Sequence, residues 1–358
     1  MGLRTGLAAA LLVVVAAWSS VAWSLDPERK SGFDWAALRA LPVLSGGRMK
    51  PLDSYAREVA LFTTGSRSYQ GWDAVELLAS WISHPSQWEV QVFIQVSRED
   101  VRRQIGVDEK KGRFSPHELV GSSALAQYAE RMSAPASQPM QVGLGGTTKE
   151  DPREKELRRV MERVGLYRNV VSGDAWPLIP MPGEEPWNTL AAQASDGGAE
   201  IRKAFGETMV AYRDGSPEAF SKAVARVRDL LFAKMGKAPE ELDRSLRAEV
   251  LYNRWHPFRM AWILYLIAAV CGALALGMQK SLRGPAEKLA RFGLLGGSAV
   301  GLGVHIAGMA VRSYISGRPP VTNMYESLIW VAFVTMVFAL ILFGVTLHTV
   351  VLVSAAVT

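Results

Sequence analysis

The residues best placed to do chemistry fall in 312–327, RSYISGRPPVTNMYES, a short polar stretch between two long apolar runs. Arg312 and Arg318 are candidate carboxylate binders, because a guanidinium offers bidentate, charge-assisted hydrogen bonds. Pro319-Pro320 stiffens the backbone, and Asn323 can close a turn or cap the helix that follows. Tyr325 adds an aromatic ring, and Glu326, at the mouth of an apolar run, calls for an arginine partner. Apolar flanks on both sides hold so short a stretch at a membrane surface. There it could seat an amphipathic anion, or it could simply anchor the chain at the interface.

A second pattern lies just upstream. Gly293, Gly297, Gly301 and His305 recur every four residues and so share one helical face. Small residues let a neighbouring helix backbone approach closely. The same groove would admit a flat macrocycle, with His305 placed to ligate its iron. An intramembrane polar residue is a functional hypothesis by default, yet a neutral imidazole can also just hydrogen-bond across helices. Both readings stand on the residues alone. Heme, whose two propionates suit two interfacial arginines, would link His305 to the polar stretch. His348, deep in the last apolar run and without a glycine face, reads as structural.

These residues need membrane helices to position them. Spans near 260–278, 292–311 and 328–350 carry no Asp, Glu, Lys or Arg, and each can supply the roughly 20 apolar residues a crossing needs. Residues 1–24 read as a signal anchor or a cleaved signal peptide, with Ala22-Trp23-Ser24 resembling a cleavage site. The connection 279–291 holds Lys280, Arg283, Lys288 and Arg291 against Glu287, which makes it cytoplasmic and puts 25–257 and 312–327 outside. Arg254, Arg259, Arg312 and Arg318 pull the other way.

The expected fold is mainly α: a multi-pass helical membrane protein, with 25–257 forming a mostly helical extracytoplasmic domain with minor β, and 258–358 the membrane part. Within 25–257, the spacing predicts helices over 72–83, from Ser115 to about Arg131, over 152–167 and within 199–254. Asp53 or Ser54 is expected to cap a helix starting near Tyr55. Alternation in EVQVFIQV predicts a strand over 89–96, with Val90, Val92, Ile94 and Val96 on one face. Ser115-Pro116-His117-Glu118 is a capping-box start, and 133–151 reads as a linker. The chain has 358 residues and a formal net charge of +6. Its mean hydropathy of +0.09 averages a polar middle and apolar ends. The single cysteine, Cys271, excludes a disulfide framework, and no CxxCH occurs, so the chain is not itself a c-type cytochrome. No basic stripe with interleaved aromatics points to nucleic acid.

The segment HIAGMAVRSYISGRPPVTNMYESLIW, residues 305–330, closely resembles the CcsA/ResC group of cytochrome c assembly proteins, within the heme-handling family that includes CcmC and CcmF. GRMKPLDSYARE, residues 47–58, is similar to a segment preceding the membrane part in some bacterial members. The resemblance implies a System II-type subunit of the inner membrane, part of a cytochrome c heme lyase complex. It would work with a ResB/CcsB-type partner, carrying heme to the outer face for attachment to apocytochrome c. Arg312, Arg318, Asn323, Tyr325 and Glu326 would then shape an external heme site, with His305 a candidate iron ligand. The family's tryptophan-rich loop ending in Trp-Asp, flanked by ligating histidines, has no counterpart here, and further spans are expected. A truncated or split product that is inactive by itself is therefore expected. A membrane-anchored scaffold without heme chemistry, or a subunit of an unrelated transporter, are the alternatives.

Overall fold

The computed structural model describes residues 30–133, 151–181, 187–192, 197–236, 239–278, 284–319, 321, 324–346 and 348–357. The expected N-terminal segment 1–24 and nearly all of the expected linker lie outside the described residues, as do Pro320 and Asn323. The chain divides into two compact units: Met1–Arg39 with Val43–Met235, and Ala40–Pro42 with Gly236–Thr358.

The first unit is mostly helical. After α1 (Trp35–Arg39) come β1 (Pro42–Ser45) and β2 (Arg48–Pro51), paired through the turn Gly46-Gly47. Both turn glycines have positive φ, 64° and 71°, the conformation a tight hairpin demands. Then follow α2 (Leu52–Thr64), β3 (Ser68–Tyr69), β4 (Trp72–Asp73), α3 (Ala74–Ser83), α4 (Pro85–Glu89), β5 (Ile94–Gln95) and α5 (Glu99–Gln104). β6 (Arg113–Phe114), α6 (Pro116–Val120), α7 (Ser123–Ser133), α8 (Pro152–Ser172), α9 (Ala199–Asp214) and α10 (Pro217–Met235) complete it.

The segment 47–58 is built into this unit's core. Pro51, not Asp53 or Ser54, occupies the cap position of α2. Asp53 is instead fully buried and accepts from Arg57 Nε at 2.8 Å. Lys50 meets both carboxylate oxygens of Glu58 at 2.9 and 2.8 Å, and the Tyr55 hydroxyl donates to the Ala175 carbonyl. Arg39 bridges to Asp73 at 3.0 Å, and Asp73 in turn caps α3 by accepting from Val75 N. Around α3 the large aromatics interlock: Trp81 lies 5.1 Å from Phe93, tilted, and 5.5 Å from Tyr167, edge to face.

Two further local expectations fail for physical reasons. The strand over 89–96 shrinks to Ile94–Gln95, because Pro85 starts α4 and the chain leaves it only at Val90. Ile94 and Val96 are buried but Val90 and Val92 are exposed, so the four do not share a core face. The capping box at Ser115 and Glu118 forms with both reciprocal bonds, yet its helix stops at Val120. There Ser122 donates to the Ile105 carbonyl, and α7 restarts at Ser123.

The second unit holds α11 (Pro239–Trp255), α12 (Pro257–Met278), α13 (Pro285–Ser316), α14 (Met324–Thr346) and α15 (Thr349–Val357). Among the described residues, three helical stretches are long and apolar enough to cross a membrane: Glu240–Gly277, Pro285–Ser316 and Met324–Thr346. The protein is thus a mainly helical membrane protein. α11 runs into α12 through His256, whose φ of 48° marks a bend imposed before Pro257. The apolar tail from Leu328 is not one helix. It breaks beside His348, whose N–H donates to Thr346 Oγ1, and α15 packs back on α12 with Val353 against Gly272.

Candidate functional site

The polar stretch 312–327 is less of a loop than its composition implies. α13 continues to Ser316, where Gly317 ends it in a left-handed cap, and α14 already begins at Met324. Arg312 therefore sits in the closing turns of α13, while Tyr325 and Glu326 open α14. That placement makes them face each other. Arg312 donates from Nε and Nη2 to the same Glu326 oxygen at 3.0 and 2.8 Å. Glu326 is only 1% exposed and the Arg312 side chain 28%. Burial at this depth strengthens the attraction but requires that both charges stay paired.

The rest of the cluster comes from elements with no motif to announce them. The Tyr252 phenol, on α11, lies beside the Arg312 side chain and interacts with it electrostatically. The Arg312 guanidinium also lies 5.7 Å from the Tyr325 ring centre, a modest cation–π contact. Tyr252 packs on Phe258, centroids 6.3 Å apart, and Phe258 stands edge-on to His305 at 5.4 Å. The ion pair at the end of α13 is thereby joined to the imidazole deeper in the same unit.

His305 is 4% exposed. Phe258 and Tyr265 from α12 and Phe333 from α14 enclose it. The Tyr265 hydroxyl and His305 Nδ1 are 3.4 Å apart, a long hydrogen bond. The Ile329 backbone comes near the ring, yet Nε2 completes no hydrogen bond of normal geometry. A buried imidazole nitrogen without a hydrogen-bond partner of normal geometry calls for an explanation.

The glycine face resolves as packing in this structure. A Cβ at Gly301 would lie 2.7 Å from the Tyr265 ring, one at Gly297 3.0 Å from Ala268 Cβ, and one at Gly293 2.7 Å from Cys271 Sγ. α12 fills the groove throughout. A macrocycle on that face would have to displace a helix.

No protein-family model matches the chain. The chain is 25% identical over 306 residues to protein NrfI of Wolinella succinogenes. The match takes in 83% of this chain and 33% of NrfI, so the chain spans about a third of that relative's length. It is long enough to draw on both units.

Of the residues singled out from sequence, the structure brings Arg312, Tyr325 and Glu326 together. His305 is linked to them through Tyr252 and Phe258. Arg318 is exposed beyond the Gly317 cap, its carbonyl accepting from Ser316 Oγ, and Asn323 lies outside the described residues. Among the described residues no group of three or more His, Cys, Asp or Glu could hold a metal ion. Tyr252, Phe258, Tyr265 and Phe333 escape sequence reasoning because an aromatic in an apolar helix carries no signal of which neighbour it meets.

Proposed function

We propose that this chain is a membrane subunit of cytochrome c maturation that handles heme on its way to apocytochrome c. The observation that carries the reading is the enclosed His305 with its open Nε2, a few turns from an interfacial motif resembling that of heme-handling proteins. Similarity to NrfI supports the same direction. Heme enters this scheme as a substrate. Its vinyl groups take up cysteine thiols of the acceptor, the sulfur bonding to one vinyl carbon and hydrogen to the other. The protein's share of that reaction would be positioning.

The residues fit heme in part. His305 supplies the donor type an iron requires. Arg312 is engaged by Glu326, which leaves exposed Arg318 as the guanidinium open to a propionate. The ring would approach from a side other than the glycine face, which α12 occupies. The finer scheme, with a ResB/CcsB-type partner, the inner membrane, and 25–257 outside, belongs to this proposal.

The test is an absorption spectrum of the purified protein beside His305→Ala. A Soret band that is lost or shifted in the variant is expected. Absence of bound heme in protein purified from heme-replete cells would overturn the reading. A second reading, a scaffold that binds an assembly partner without heme, draws on the filled glycine groove and the self-paired Arg312. Capture of apocytochrome c by heme-free protein and by His305→Ala alike would favour it.

A further inference from the structure

We propose that the Arg312–Glu326 pair is a latch that keeps His305 enclosed, and that Tyr252 and Phe258 transmit its state to the ring. Three observations carry this. First, α14 exposes Leu328, Val331, Phe338 and Ile341, so much of its surface makes no packing contact. In its opening turn Glu326 attaches it to α13 through Arg312. Second, α14 supplies one wall of the imidazole enclosure through Phe333, 5.9 Å from the ring. Releasing Glu326 would loosen the opening turns of the helix that carries that wall, while its middle stays packed through Met336 and Ala339. Third, the opposite wall lies next to the same pair, since Tyr252 sits beside Arg312 and packs on Phe258, which stands against His305. One ion pair thus adjoins two walls of the enclosure. An anionic ligand able to compete with Glu326 for the guanidinium would open access to Nε2.

The latch does not depend on what His305 binds, and it is tested on the heme-free 358-residue chain in detergent. Diethyl pyrocarbonate acylates accessible neutral imidazoles, and peptide mass spectrometry reads each histidine separately. His117 and His348 are exposed and serve as internal standards in the two units. In the unaltered protein His305 is expected to react about tenfold more slowly than His348, because modification requires local opening. Glu326→Gln keeps the side-chain shape and removes the charge. It is expected to raise the His305 rate to within about threefold of His348, with helical content unchanged by circular dichroism. Should Glu326→Gln fail to fold, Tyr252→Phe removes a single hydroxyl and is expected to give a smaller acceleration confined to His305. Reaction of His305 as fast as His348 in the unaltered protein overturns the latch. So does protection that persists undiminished in the folded variants.

Discussion

Arg312 and Glu326 bring the end of α13 and the start of α14 together, with two guanidinium N–H groups on one carboxylate oxygen at 3.0 and 2.8 Å. The two partners are unequally shielded, 28% against 1% exposed. That inequality matters when either is removed. Without Glu326, Arg312 can turn toward water or interfacial groups, whereas without Arg312 the Glu326 carboxylate stays buried. Arg312→Ala is therefore expected to destabilise the protein by about 3–5 kcal/mol and Glu326→Ala by roughly half as much. Thermal unfolding in detergent measures both. Equal losses would contradict the asymmetry.

The glycine series gives a prediction with an internal control. Gly301→Ala would force its new methyl to 2.7 Å from the Tyr265 ring, and Gly297→Ala to 3.0 Å from Ala268. Either substitution should cost about 1–3 kcal/mol by overpacking. Gly296 and Gly303 lie on the same helix, and a methyl group added at either would meet nothing within 4 Å. Alanine there should be neutral or slightly stabilising. Melting temperatures of the four variants separate the two faces. Similar values for all four would mean that α12 does not sit in the groove.

How much of this was legible follows from the kind of signal each residue carries. Period-four spacing placed Gly293, Gly297, Gly301 and His305 on one face, and apolar length marked the membrane helices, because both properties are local. Whether the groove received a helix or a ligand depended on α12, whose small residues Ala268 and Cys271 face it. Polar residues in the closing turns of α13 and the opening turn of α14 read as a loop, since interfacial helix ends share the composition of loops. Their pairing needed the true helix bounds. In the first unit the alternation of Val90, Val92, Ile94 and Val96 mimicked a strand, while Pro85 had already committed the preceding residues to a helix.

In the first unit Asp100 offers a pH-dependent observable. The hydrogen bond from Arg98, at 2.7 Å, holds its carboxyl down at about 2, with Arg98 and Arg153 charges and the Val101 N–H adding to it. Partial desolvation works against these but does not prevail. A depressed carboxylate contributes stability that is present above its ordinary value of 3.8 and is lost as pH falls from there through about 2. Carboxyl-carbon NMR should show Asp100 titrating near the lower figure. In Arg98→Ala its midpoint should rise toward the ordinary one. An unmoved midpoint would assign the depression to Arg153 or the backbone instead.

The strongest stability contrast concerns His305 and Tyr265, linked by one long hydrogen bond inside apolar walls. His305→Leu removes the imidazole with its open Nε2 but strands the Tyr265 hydroxyl, itself buried. Leaving a buried donor unsatisfied costs about 1–3 kcal/mol, so the single substitution should be destabilising. Adding Tyr265→Phe removes that hydroxyl as well, and replacing both partners by apolar groups of similar shape can be neutral or stabilising. The double variant is thus expected to melt at or above the unaltered protein. Such a result would mean that the imidazole is not kept for stability, in line with a role in binding. If the double variant instead melts lower than either single one, the pair holds the helices together and the ligand role of Nε2 loses its support.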